Sequence, residues 1–266
     1  MFLLFTKTYS RDYALAEYQM RLIRKFWARN TEMHHVYVVD DTAGLDQLTE
    51  VANKLSTPWY DIRVKIVTAE AKSIQDGYLQ QQYVKLTWDK YSSMSDTCLQ
   101  IDADMMPIAP WQPRGRDHAP WLYFPQEAWW ITGERDIASR WRGVAERMLP
   151  AWVKDLPRDR GYMAGYGWFL QRDYMEDLRA DVCSGVPLGL LHAMHRFTKT
   201  REPFSEYTLY GLWLAKYAPE SLIPYDEAKA AGHPFPTLVC VPPPRQELGP
   251  KTWAVSPEIA HLLEGA

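Results

Sequence analysis

Leu99-Gln100-Ile101-Asp102-Ala103-Asp104-Met105-Met106-Pro107 is the stretch whose reading decides the fold. Thr97–Ile101 reads as a strand, and the strand runs out into two aspartates at i and i+2. Along a strand such residues face the same way, so Asp102 and Asp104 present adjacent anionic oxygens. Open α/β sheets bind ligands where the carboxyl ends of their strands emerge. Two close carboxylates repel unless a cation lies between them. Mg²⁺ or Mn²⁺ takes hard oxygen donors and commonly bridges one or two carboxylates to phosphate groups. The segment therefore fits a metal–diphosphate site with Asp102 and Asp104 as ligands. Asp-x-Asp by itself is generic, and a solvated acidic turn is the ordinary alternative. Phosphatases with an aspartyl nucleophile also carry Asp-x-Asp after a strand, but near the N-terminus and followed by Thr. Here Met105-Met106 follows, which argues against that chemistry.

Upstream, strand and helix patterns alternate. Phe2–Thr6 reads as a buried strand, and Asp12–Trp27 has helical apolar spacing. Val36–Val39 reads as a strand ended by Asp40-Asp41, Leu45–Lys54 as a short helix and Ile62–Val67 as a strand. Gly77–Ser92 has the pattern of a long helix. This alternation predicts an α/β fold with a mixed, mainly parallel sheet flanked by helices.

Downstream of Pro107 the pattern becomes irregular, with prolines at 107, 110, 113, 120 and 125. A short strand is expected at Trp121–Phe124, a helix over Ile137–Trp152 and an irregular strand over Tyr162–Gln171. Tyr174–Ala180, Leu188–Phe197 and Ser205–Tyr217 read as helices. The proline-rich tail from Pro234 is expected to wrap the surface rather than join a sheet. The expectation is one domain over 1–266, with a nucleotide-binding half (1–106) and an irregular, aromatic-rich acceptor half (107–266).

Composition narrows the classes. The 266 residues are 47% apolar and 24% charged, which excludes disorder, collagen and coiled coil for the whole chain. The net charge of −3 excludes a global polycation. Cys98, Cys183 and Cys240 are odd in number and far apart, so a disulfide framework or zinc ribbon is not expected. No stretch approaches the ~18 apolar residues of a membrane span, and the apolar start is too short for a signal peptide. A cytoplasmic protein without a membrane or protein partner is the expectation.

Beyond these readings, the sequence resembles glycosyltransferases with the GT-A (Rossmann-like) fold. Phe2–Tyr9 with Asp12 is similar to their first strand and loop, Val36–Asp41 to their second strand, and Asp102-x-Asp104 to their metal and nucleotide-sugar motif. Gly77-Tyr-x-Gln-Gln81-Gln82-x-x-Lys85-Leu86 and Phe204-Ser205-Glu206-Tyr207-x-x-Tyr210-Gly211 resemble blocks of a little-characterised GT-A-like family, over roughly residues 1–215. The resemblance implies a metal-dependent transfer of a sugar from a nucleoside-diphosphate sugar, with UDP as the expected nucleotide. It implies that Thr6, Thr8 and Tyr9 embrace base and ribose, where turn chemistry is the ordinary alternative. Asp40 and Asp41 can accept from a base N–H or a ribose hydroxyl, or simply cap a helix.

On the helix from Gly77, Gln81, Lys85 and Asp89 share a face, with Gln82 about 100° away. Lys85 can reach the diphosphate as a point charge, and Gln81 or Gln82 can bond the sugar. Asp102 serves both metal and nucleotide. Glu206 opens a helix, where a carboxylate is favoured on electrostatic grounds alone; its functional reading is a general base for the acceptor hydroxyl. His192 and His195 are i, i+3 on a helix without a nearby third ligand. GT-A enzymes often take a further metal ligand from the C-terminal region, a role that falls to His233, then to His261.

Trp residues number 12, and seven lie between Trp111 and Trp168. In a GT-A layout this is the acceptor half, so Trp111, Trp129, Trp130 and Trp168 are candidates to line an acceptor cleft, although many should be core. From Arg114 to Arg172 there are ten Lys/Arg against seven Asp/Glu. That local excess keeps a modified DNA base, such as 5-hydroxymethylcytosine, beside a saccharide as the acceptor. A non-enzymatic carbohydrate-binding module is a further alternative, disfavoured by the α/β pattern.

Overall fold

The computed structural model describes residues 2–28, 32–111, 121–125, 135–158, 160–162, 167–184, 189–198, 205–224 and 238–240. The elements run β1 (Phe2–Lys7), α1 (Tyr13–Phe26), β2 (Met33–Val39), α2 (Thr42–Leu55), β3 (Tyr60–Ile66), α3 (Ala69–Lys72), α4 (Gly77–Leu86), β4 (Thr97–Gln100) and β5 (Met105–Pro107). They continue with β6 (Trp121–Pro125), α5 (Arg135–Met148), β7 (Arg160–Gly161), β8 (Trp168–Gln171), α6 (Arg172–Cys183), α7 (Gly189–Thr198), α8 (Glu206–Tyr217), β9 (Leu222–Pro224) and β10 (Leu238–Cys240).

The central sheet has the order β3-β2-β1-β4-β8. Its first four strands are parallel, and β8 pairs antiparallel with β4, Leu99 opposite Phe169. β1 and β2 are buried almost throughout, as strands covered on both faces must be. α1 buries Leu15, Ala16, Gln19, Met20, Leu22 and Ile23 toward the core, the stripe that its apolar spacing predicts. Side-chain caps fix where three helices begin. Asp41 accepts from the Gly44 N–H, Asp76 from Leu79 and Ser205 from Thr208.

Two expectations need correction. The helix from Gly77 stops at Leu86 rather than Ser92: the Thr87 hydroxyl donates to Tyr83 O at 2.8 Å, and the chain tightens into a 3₁₀ turn at Trp88–Lys90. Asp89 therefore leaves the Gln81–Lys85 face and forms a bidentate pair with Arg179 at 2.8 and 2.9 Å. Beyond Asp104, Met105–Pro107 forms β5. The proline-rich tail does join a sheet: Leu238, Val239 and Cys240 pair antiparallel with Pro107, Met106 and Met105. Those three residues lie between prolines and keep their own N–H groups, so a short ladder is open to them.

Candidate active site

Because β1, β2 and β4 are parallel, their carboxyl ends share one edge of the sheet. Thr8 and Tyr9, Asp40 and Asp41, and Asp102 and Asp104 all lie just beyond those ends. α4 crosses this edge, and α8 docks on α4. The first N–H of α8, that of Glu206, donates to Gln82 Oε1 at 3.2 Å. Gln82 is thus a buried docking residue for α8 rather than a group open to a sugar.

The centre of the site is Lys85. Its ammonium lies 2.7 Å from Asp102 Oδ1 and 2.7 Å from Glu206 Oε1. It also donates to the Tyr207 hydroxyl at 2.7 Å. Lys85 and Glu206 expose only 2% and 4% of their side chains, whereas Asp102 exposes 22% and reaches the surface. Burial pulls the Lys85 ammonium toward neutrality, but attraction from Asp102 and Glu206 exceeds it and holds the group above the ordinary lysine range. Burial raises the Glu206 carboxyl, against the pull of Lys85.

Asp104 is pushed up to about 7, first by desolvation and then by the charge of Asp102. One ammonium therefore sits among three carboxylates, of which Glu206 and Asp104 are both held above the ordinary carboxylate range. Gln81 joins the cluster, its amide donating to Asp102 Oδ1 at 3.5 Å while its oxygen accepts from Tyr9 at 3.4 Å.

Tyr9 spans from β1 to α4, its hydroxyl donating to Gly77 O. Beneath its ring lies the buried Lys7, 4.1 Å from the centroid and donating to Thr8 O at 2.6 Å. Burial lowers Lys7 to about 8, against the attraction of Asp40, Asp12 and Asp41. Tyr13 donates to Asp40 Oδ1 at 2.9 Å and to Asp41 Oδ1 at 3.1 Å. Gly44 makes room for this, since a Cβ there would lie 1.9 Å from the Tyr13 hydroxyl. Asp41 is accordingly a helix cap, the plainer of its two readings. Thr6 also departs from expectation. It is fully buried and bonds Gln19 and His35 inside the fold, so it does not line a ligand edge. Thr8 Oγ1 is buried and has no hydrogen-bond partner among the described residues.

Among the described residues no group of three His, Cys, Asp or Glu side chains is placed to cage a metal. His192 and His195 are exposed on α7. His233 and His261 lie outside the described residues, as do Trp129 and Trp130 and much of the basic stretch that suggested a nucleic-acid acceptor. Trp111 and Trp168 do not line a cleft. Trp111 packs edge-on against Trp27 at 5.0 Å in the core, and Trp168 stacks on the buried face of Tyr207 at 3.3 Å. No helix among the described residues is long and apolar enough to cross a membrane.

Sequence reasoning missed Tyr207, Gln100 and Gln19 as parts of this edge. Tyr207 accepts from Lys85 and, at 2.8 Å, from the Gln100 amide, and it bonds Glu206. The signal was present for Gln19 and Gln100: each is a polar residue at a position where the helix or strand pattern calls for an apolar one.

No protein-family profile matches the sequence, and no curated protein matches it. Solved structures do. Core-mannan synthase A from Aspergillus fumigatus, in its Mn/GDP form, superposes with a TM-score of 0.54 at 8% identity, covering 84% of this chain and 72% of that one. Galactosyltransferase LgtC, in complex with donor and acceptor sugar analogues, gives a TM-score of 0.49 at 12% identity, covering 79% and 70%. At such identities the likeness is one of fold. The chain has a GT-A-like fold, a mostly parallel sheet flanked by helices.

Proposed function

We propose that the chain is a glycosyltransferase that moves a sugar from a nucleoside-diphosphate sugar, with UDP the expected nucleotide, to an acceptor hydroxyl. Mn²⁺ or Mg²⁺ is the expected cofactor. The observation that carries this reading is the Lys85–Asp102–Glu206 cluster at the ligand edge of a GT-A-like sheet. The donor set fits a divalent cation. Asp102 and Asp104 offer hard oxygens, and burial and the charge of Asp102 hold Asp104 up at about 7. When bound there, the cation neutralises the leaving diphosphate.

The remaining roles belong to the chain. Lys85 fixes Asp102 Oδ1, and Asp102 and Asp104 would hold the cation. Tyr9 supplies a ring and Asp40 a carboxylate for base and ribose, and Gln81 lies next to Asp102 for the diphosphate or sugar. His233 is kept as the proposed further ligand. Glu206 is assigned as the counter-ion that keeps Lys85 charged and aimed at Asp102. That differs from the base role expected from sequence, because its carboxylate is buried on an ammonium rather than open to an acceptor.

The test is a thermal-shift series on the full chain with nucleotide sugars, with Mn²⁺ or with EDTA. A ligand at a hundred times its Kd stabilises the native state by about 2.7 kcal/mol. A rise in Tm that needs both nucleotide and metal, and that Asp104→Ala abolishes together with Mn²⁺-dependent hydrolysis of the donor, is the expected result. No shift with any nucleotide, or full activity in Asp104→Ala, overturns the reading.

A further inference from the structure

Gln19 is a glutamine on the apolar stripe of α1, completely buried. Its amide nitrogen donates to Asp102 O at 2.7 Å and to Met105 O at 2.7 Å. Those two carbonyls bracket Asp102-Ala103-Asp104, and the turn is closed on its other side by Met105 N–H donating to Asp102 O at 2.9 Å. Carbonyls only accept, so both amide hydrogens of Gln19 must point at the turn. The amide oxygen is held in turn. It accepts from Tyr37 OH at 2.9 Å and from Thr6 Oγ1 at 3.3 Å.

Thr6 Oγ1 lies 2.9 Å from His35 Nε2, and His35 Nδ1 lies 3.0 Å from Tyr60 OH. The chain of bonds closes when neutral His35 carries its proton on Nε2 and Tyr60 donates to Nδ1. Burial keeps His35 in that neutral form. The network thus runs from β3 through β2, β1 and α1 to the back of the Asp102–Asp104 turn. Every donor and acceptor of the Gln19 side chain is used, and a fully satisfied buried network is rigid.

We propose that Gln19 is a positioning residue for the Asp102–Asp104 turn, setting the separation and direction of the two carboxylates through the carbonyls on either side of them. The proposal rests on reading that turn as a metal–diphosphate site. Groups that orient metal ligands from behind typically change metal affinity by about ten- to a hundredfold when removed. A general loss of packing elsewhere in the sheet does not do so selectively.

The experiment compares the full chain as wild type, as Gln19→Met and as Leu48→Ala. Gln19→Met keeps the length of the side chain and loses both donors. Leu48 is a buried residue of α2, outside this network, and supplies a variant of lowered global stability. Two quantities are read, amide hydrogen exchange of the peptide covering residues 101–107 and Mn²⁺ affinity in the presence of UDP or GDP, from the EPR signal of free Mn²⁺. With global stability accounted for by urea unfolding, Gln19→Met is expected to speed exchange of the turn about tenfold beyond Leu48→Ala and to weaken Mn²⁺ binding at least tenfold. Leu48→Ala should leave Mn²⁺ affinity at the wild-type value.

Equal protection of the turn in the two variants overturns the proposal, as does wild-type Mn²⁺ affinity in Gln19→Met. If the wild-type chain binds no Mn²⁺ with either nucleotide, the metal-site reading falls on its own, and exchange alone then decides the role of Gln19. Should Gln19→Met not fold, Tyr37→Phe, which removes the bond that orients the amide, enters the same comparison with the same ordering expected.

Discussion

Replacing Lys85 by methionine removes the only positive charge touching Glu206 among the described residues and keeps most of the buried stem. Glu206 cannot turn to water, since its side chain is 4% exposed. It takes a proton instead, which sets a ceiling on the damage. Protonating a carboxyl of ordinary pKa 4.5 at pH 7 costs about 3.4 kcal/mol, at ~1.36 kcal/mol per unit. Asp102 reaches solvent and keeps Gln81, so its loss adds only about 1 kcal/mol. The expected destabilisation at pH 7 is thus about 3–5 kcal/mol, the range for a broken buried pair.

The sign of the pH dependence follows. In Lys85→Met the folded state holds a proton on Glu206 that the unfolded chain releases above its ordinary pKa of 4.5. Stability of the variant therefore rises as the solution is acidified, by about 1.36 kcal/mol per pH unit between pH 8 and 5 relative to wild type. In Lys85→Met/Glu206→Gln the carboxyl is gone, and about 3 kcal/mol should return at pH 7. Urea unfolding at pH 5, 6, 7 and 8 measures all of this. A penalty that does not change with pH, or a double variant no more stable than Lys85→Met, refutes the account of Lys85 as counter-ion to a buried charge.

Asp104 offers a test of opposite construction. Its carboxyl is raised to about 7 from 3.8, so without divalent cation the folded state is penalised increasingly as pH rises through that window. Asp104→Asn should therefore match wild type near pH 4 and exceed it by about 2–4 kcal/mol at pH 8 in EDTA; a difference independent of pH contradicts the assignment. Gly44→Ala drives a Cβ onto the Tyr13 ring and should cost about 1–3 kcal/mol by urea unfolding. In a Tyr13→Ala background the clash is absent, and the same change should be neutral or stabilising by up to about 1 kcal/mol. Equal cost in both backgrounds means that Tyr13 is not the obstacle.

Much of the sheet was legible because its signals are local. The apolar run of β1, the strand ended by Asp40-Asp41 and the strand running into Asp102 each follow from spacing, and their alternation with helices leaves few topologies. Lys85 and Gln81 were legible as one helix face, and both do meet Asp102. What failed was long range. Thr6 looked like a ligand-edge hydroxyl because it ends a strand; which way it faces depends on Gln19 and His35, from other elements. Gln82 and Glu206 looked like ligand groups because each is polar. Their partners are respectively a helix N–H and an ammonium that only packing brings near. Trp168 looked like a wall of the acceptor cleft, and Tyr207 of α8 claims its face. Polar type is written in the sequence. Whether a polar group faces water or another buried group is not.

The pairing of β5 with β10 has a consequence in time. Asp104 is followed at once by Met105–Pro107, whose partners are Leu238–Cys240. A chain made from its N-terminus has β1, β2, β3 and β4 available for pairing long before residue 240 is joined. The far wall of the aspartate turn must stay open through most of synthesis and be sealed by one of the last described segments to emerge. A nascent chain halted between α8 and β10 should hold a folded parallel sheet and an unsealed turn, so competence at this edge arrives later than the fold that carries it.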